Sequence, residues 1–256
     1  LAAVGAGAIW LLASAFGSPV GPEPTPVLNT LVDLTQVVDA ELDPTFSPDV
    51  KEIMLRIRKI GNPVLHDDEA VFAGGTDSAG NPKLRTVYYV DLAKKADSVL
   101  SQITLKNDDI TNLNLNDKYI VWADASRNGG CIIRYLNRET GAVRTVKTCA
   151  ISTPTLRLDG DLLCFAERTA NTQDKLYAYN LSSGESVTLA VFEDSPSGVS
   201  PPGLGSGRLV WTEDDRSSDQ INHSILKVLE LDGSAQKTYV TGMYVFGPLI
   251  NRDIVV

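Results

Sequence analysis

Histidine and cysteine are scarce in this 256-residue chain: His66 and His223 are the two histidines, and Cys131, Cys149 and Cys164 the three cysteines. The histidines lie far apart and outside any Cys-rich or His-x-x-x-His spacing, so the donor pattern of a catalytic zinc centre is missing. No Gly-x-Ser-x-Gly elbow occurs, because Gly205-Ser206-Gly207 has the wrong spacing for a strained nucleophile turn. Gly5-x-Gly7 lacks the third glycine of a dinucleotide fingerprint and sits in an apolar run, where helix packing explains it better. Basic residues are outnumbered 23 to 32, for a net charge of −9, which argues against a nucleic-acid backbone as partner. The compact basic group Lys51, Arg56, Arg58 and Lys59 alternates with Ile53, Leu55 and Ile57 and reads as the solvated face of a strand or short helix. These absences lead us to expect no catalytic residue, no cofactor and no resident metal.

What the chain does have is a repeat. A short apolar strand carrying an aromatic and preceded by a polar turn occurs four times, around Phe72, Trp122, Phe165 and Trp211. The turns are His66-Asp67-Asp68-Glu69, Asn116-Asp117-Lys118, Asp159-Gly160-Asp161 and Gly205-Ser206-Gly207-Arg208, built from residues that tolerate tight-turn geometry. A second strand follows each aromatic, over residues 87–92, 132–136, 176–181 and 225–231, and a last one over 142–148, 185–191 and 236–240. Three to four strands per unit of forty-odd residues predict antiparallel blades of a β-propeller, with the four aromatics in the packed core between blades. The units are expected at 60–106, 107–150, 151–194 and 195–243, and a fifth begins over 244–256. The expected fold is therefore all-β: about four blades plus the start of a fifth. Closed rings take about four to eight blades, and six to eight are expected here, so at least one or two further units are expected beyond this sequence.

The turn, strand and hairpin pattern over residues 116–124, together with Tyr177 to Gly184, resembles the repeats of TolB-like propellers and related bacterial surface proteins. The resemblance covers roughly residues 60–256. It implies the propeller fold, within a superfamily that includes binding scaffolds, peptidase-associated propellers and lyases.

Ahead of the repeats, Leu1 to Phe16 carry no charge and are mostly apolar. Sixteen residues fall short of the ~20 that span a bilayer as a helix, and residues upstream of Leu1 would have to supply the rest. The segment is read as an N-terminal apolar helix acting as a membrane anchor. The alternative is a secretion signal cleaved near Ala15, for which Ala13-Ser14-Ala15 is a suitable site. Residues 17–26 form a proline-rich spacer, and 27–59 a juxtamembrane segment whose residues 50–60 are a candidate closing strand. Both readings of the apolar segment export the propeller, to the extracytoplasmic side of the cell membrane or beyond it.

Cys131 and Cys149 each stand nine residues from Thr140, the centre of a turn. A hairpin with a five-residue loop over 138–142 would place them opposite one another, within the Cα range of a disulfide. Two buried thiols are the alternative. Cys164 reads as a buried strand residue.

Asp124, Glu167 and Asp214 follow three of the aromatics and would lie at one end of a propeller. As carboxylates they are weak calcium-ligand candidates, since none sits in an Asp-x-Asp-x-Asp-Gly loop. Solvated loop charges are the simpler reading. The function expected is a membrane-tethered extracytoplasmic propeller that binds a protein or glycan partner and has no chemistry of its own. The alternatives are the non-catalytic propeller of a peptidase or polysaccharide lyase, and the sensor domain of a transmembrane regulator.

Overall fold

The structure, a computed structural model, describes residues 31–33, 61–76, 78–92, 99–104, 109–126, 128–193, 200–214, 224–241, 245–251 and 254–255. Alternating apolar residues between polar turns produce strands throughout. After β1 (Leu31–Asp33), blade I comprises β2 (Val64–His66), β3 (Glu69–Thr76), β4 (Pro82–Asp91) and β5 (Val99–Thr104). Blade II comprises β6 (Asp109–Leu115), β7 (Tyr119–Ala125), β8 (Cys131–Asn137) and β9 (Val143–Cys149). Blade III holds β10 (Leu156–Asp159), β11 (Leu162–Ala170), β12 (Gln173–Asn180) and β13 (Ser186–Phe192). Blade IV holds β14 (Gly203–Gly205), β15 (Arg208–Asp214), β16 (Ser224–Glu230) and β17 (Gln236–Val240). A two-stranded sheet follows, β18 (Ile250–Asn251) with β19 (Ile254–Val255).

Every blade is an antiparallel meander with strands in sequence order. The same backbone hydrogen bond recurs in all four. The amide after the third strand donates to the first turn: Leu92 to Asp68 O, Arg138 to Lys118 O, Leu181 to Asp161 O and Leu231 to Gly207 O, at 2.7–2.9 Å. On blade IV, β1 pairs in parallel with β17, Leu31 opposite Thr238. The apolar segment Leu1 to Phe16, the proline-rich spacer and residues 50–60 lie outside the described residues. Among the described residues, no helix is long and apolar enough to cross a membrane.

Burial explains the residue choice strand by strand. β7 is buried along nearly its whole length because a blade packs against each of its faces. Ile120 and Trp122 point back to Val71, Ala73 and Val87 of blade I. Tyr119, Val121 and Ala123 point forward to Leu156, Leu163 and Phe165 of blade III. The next interface repeats the scheme, with Cys164, Leu176 and Ala178 against Leu209 and Trp211. β8 alternates buried and half-buried residues, and the outermost β9 is largely exposed. Phe72, Trp122, Phe165 and Trp211 each occupy the fourth position of the second strand of a blade, and all four are buried. A fully buried aliphatic side chain at such an interface contributes about 1.5–3 kcal/mol.

Candidate functional site

In a meander the turn joining strands one and two and the turn joining strands three and four emerge at the same end. Blades I to III bring their turns together there. Asn116 shapes one of them: its Oδ1 accepts from the amides of Lys118 and Tyr119 at 3.0 and 2.9 Å, an Asx turn that pins the entry to β7. Its Nδ2 donates to Gly160 O of blade III at 2.8 Å, so one side chain both closes its own turn and ties it to the next. Asn137 and Asn180 repeat the device, accepting from Thr140 N at 2.9 Å and from Ser182 and Ser183 N at 2.9 and 3.0 Å.

Two depressions open at this end and meet at Asp117 and Arg138. The larger, of about 650 Å³, lies between blades II and III; Lys118, Tyr119, Tyr135, Arg144 and Asp161 are among its lining residues. Lys118 Nζ is 2.9 Å from Asp161 Oδ1, and that hydrogen bond holds the lysine above its ordinary pKa. The Tyr119 and Tyr135 rings meet edge to face at 5.7 Å, and Tyr135 Oη donates to Leu181 O at 3.1 Å. Arg144 is exposed. The smaller depression, of about 360 Å³, sets Asp67, Asp68, Glu69, Asp91 and Asp117 against Arg138.

Arg138 ties these depressions to the scaffold. Its Nη2 donates to Glu69 Oε1 at 2.8 Å and to Tyr89 Oη at 2.7 Å, and its Nη1 to Asn116 O at 2.7 Å. Its guanidinium lies 4.9 Å from the centre of the Tyr89 ring. The Tyr89 hydroxyl in turn donates to Glu69. The whole forms a polar groove across the turns of three blades, able to engage a ligand rich in hydroxyls or charges of both signs.

The carboxylates singled out from the sequence lie elsewhere. Asp124 and Glu167 fall inside β7 and β11, not in loops, because these strands run past their aromatics to Ala125 and Ala170. Both are buried. Arg134 Nε lies 3.6 Å from Asp124 Oδ2, and Lys147 Nζ reaches across from blade II to within 3.3 Å of Glu167 Oε2. Burial opposes the Lys147 charge, but the Glu167 carboxylate and the Tyr177 hydroxyl outweigh it and hold its pKa above the ordinary value, and the ammonium lies 4.4 Å from the centre of the Tyr177 ring. Asp214 ends β15 opposite Ser224, and its side chain lies outside the described residues, as does His223. Among the described residues, the His, Cys and carboxylate groups close enough to share one cation are His66, Asp67 and Asp117, with His66 Nε2 3.3 Å from Asp117 Oδ1. The sequence reading placed His66 in a turn but not beside Asp117.

Cys131 and Cys149 are register partners on β8 and β9, both buried and both free thiols. Cys164 is buried in β11 and register partner to Arg157 and Ala178.

No family model matches the chain, and no curated protein matches it. Solved structures do. The β-propeller domain of the Trilobed protease from Pyrococcus furiosus, described as having an open velcro topology, aligns at 13% identity and TM-score 0.52, over 69% of this chain and 56% of that one. A puromycin hydrolase aligns at 14% identity and TM-score 0.51, over 75% and 32%. TolB from Acinetobacter baumannii aligns at 17% identity and TM-score 0.46, over 76% and 46%. The chain thus spans little more than half the length of the first of these and less of the other two. At such identities the likeness shows the fold, that of β-propeller domains, and nothing finer.

Proposed function

We propose that this chain is the propeller of a membrane-tethered extracytoplasmic binding module that holds a protein or glycan ligand in the groove over the turns of blades I to III. The groove itself carries the reading: three blades contribute polar side chains to one continuous surface, and a rigid stack of blades fixes their spacing. Its chemistry is that of recognition: the Arg138 guanidinium and the Lys118 ammonium are engaged with carboxylates, ready to exchange partners with hydroxyl-rich or zwitterionic groups, and the Arg144 guanidinium is exposed beside them. The tether rests on the uncharged stretch Leu1 to Phe16 and the proline-rich spacer after it.

A glycan and polysaccharide microarray probed with the purified chain tests the ligand half of the proposal. Binding is expected to fall at least tenfold in the Lys118→Ala/Arg144→Ala double variant while its melting curve overlays that of the parent. Undiminished binding by that variant would move the ligand off the groove. Membrane fractionation with and without residues 1–16 tests the tether; a propeller that pellets equally in both forms would refute it.

A second reading has one observation in its favour. The Trilobed protease and the puromycin hydrolase, both matched above a TM-score of 0.5, are named as hydrolytic enzymes. On that reading the propeller flanks a catalytic domain and filters what reaches it. A nucleophile elbow in the continuous reading frame beyond Val256 would favour this over the tethered binder.

A further inference from the structure

The blade II to blade III interface contains two thiols that the binding groove does not use. Cys131 opens β8 and Cys149 ends β9, directly opposite in register, so their Cα atoms lie at the ~4.5–5.5 Å separation of paired strand residues. That separation is inside the ~4.4–6.8 Å window of a disulfide. Gly130, immediately before Cys131, has φ +76, and a Cβ there would fall on the Cys149 carbonyl oxygen. The missing side chain lets the start of β8 close onto the end of β9 where the cysteines stand. Both side chains belong to the same core cluster, so they project to the same face of the sheet.

We propose that Cys131 and Cys149 form a cross-strand disulfide when the chain meets a disulfide donor, such as oxidised glutathione or an oxidised Cys-x-x-Cys oxidoreductase, leaving Cys164 as a thiol. One cysteine, as thiolate, attacks a donor sulfur, makes a mixed disulfide and expels one donor thiolate. The second cysteine, having lost its proton to water, attacks the protein sulfur of that mixed disulfide and releases the second donor thiolate. In total the protein gives up two electrons and two protons, and the donor disulfide becomes two thiols.

The local chemistry favours this pair. The Cys149 thiol donates to the Cys131 sulfur, which holds Cys131 below the ordinary thiol range, while the same bond and burial push Cys149 up. The Cys131 thiol also reaches Ser152 O at 3.8 Å; the charges of Glu167 and Asp124 oppose a Cys131 thiolate but do not outweigh the bond from Cys149. Access comes through β9, which is outermost in blade II, pairs on one side only and is largely exposed. Fraying of that strand, or the hairpin before blade III packs on it, presents Cys149 to the donor. Cys164 has no such route. It sits in the second strand of its blade, turned towards blade IV, and burial pushes its thiol well above the ordinary range.

The test takes the full chain, both native and refolded from urea, equilibrated with oxidised glutathione and then alkylated in denaturant. Digestion without reduction should yield one peptide linking Cys131 to Cys149 and an alkylated Cys164. The oxidised protein should melt about 5–10 °C above the reduced form, as expected for closing a loop of this length in a chain of this size. Three alkylated cysteines in both preparations, or any linkage through Cys164, would overturn the proposal. Since the readout is the peptide map of the unaltered chain, it does not depend on a cysteine variant folding.

Discussion

Replacing Trp122 by alanine is expected to destabilise the protein by about 3–5 kcal/mol, measured as the shift in a urea unfolding midpoint at constant slope. Trp122 is fully buried in β7 and closes the interface with blade I against Val71, Ala73 and Val87. β7 is enclosed on both faces, so the surrounding strands cannot collapse into the void without breaking their ladders. The indole N–H finds no hydrogen-bond partner among the described residues, so packing accounts for what the ring contributes. Trp122→Phe should therefore cost much less, about 1–2 kcal/mol, because it keeps much of the ring and removes an unpaired donor. Equal losses from the two replacements would mean that packing is not what the side chain supplies. No loss from either would remove Trp122 from the core altogether.

The second large effect is expected at Arg138. Its side chain is 19% exposed, and its guanidinium makes three charge-assisted hydrogen bonds, two of them to blade I. Arg138→Met keeps the stem but leaves Asn116 O without that donor and Glu69 with only the Tyr89 hydroxyl among these partners. A loss of about 2–3 kcal/mol follows, at the level of hydrogen bonds to charged groups. Arg138→Lys should recover less than half, since an ammonium cannot bond Glu69, Tyr89 and Asn116 from one planar fork. A double-mutant cycle with Glu69→Gln measures the direct coupling. A coupling near zero would show that the pair is solvent-screened and that Arg138 acts through Tyr89 and Asn116 instead.

Some of this architecture can be read from single residues. The four aromatics are found at equivalent strand positions because burial between two blades demands a large ring there, and that demand repeats with the unit. Cys131 and Cys149 stand opposite one another, but loop length alone does not put them there: the hairpin leaves its turn with Leu136 opposite Val143, a register that would set Cys131 against Thr148, and a bulge at Val146 restores the pairing. Asp124 and Glu167 show where local reading stops. A charge after an aromatic suggests the end of a strand, yet both strands continue because Arg134 and Lys147 neutralise these carboxylates. Arg134 meets Asp124 across the β7–β8 hairpin, and Lys147 meets Glu167 from the neighbouring blade. The groove was still less legible. Its turn residues read as turn formers one at a time, and only stacking sets Lys118 beside Asp161, Arg138 beside Glu69 and His66 beside Asp117.

The sequence by itself determined the class of the fold, the four-fold repeat and the alternation of strands and turns within it. These depend on periodicity and loop length, which act over distances of a few residues along one chain segment. The tertiary structure alone decided which charges are buried and paired, and which turns join into a surface. Those outcomes depend on how strands and blades pack, and at the groove packing brings together side chains that are 43 to 69 positions apart in the chain.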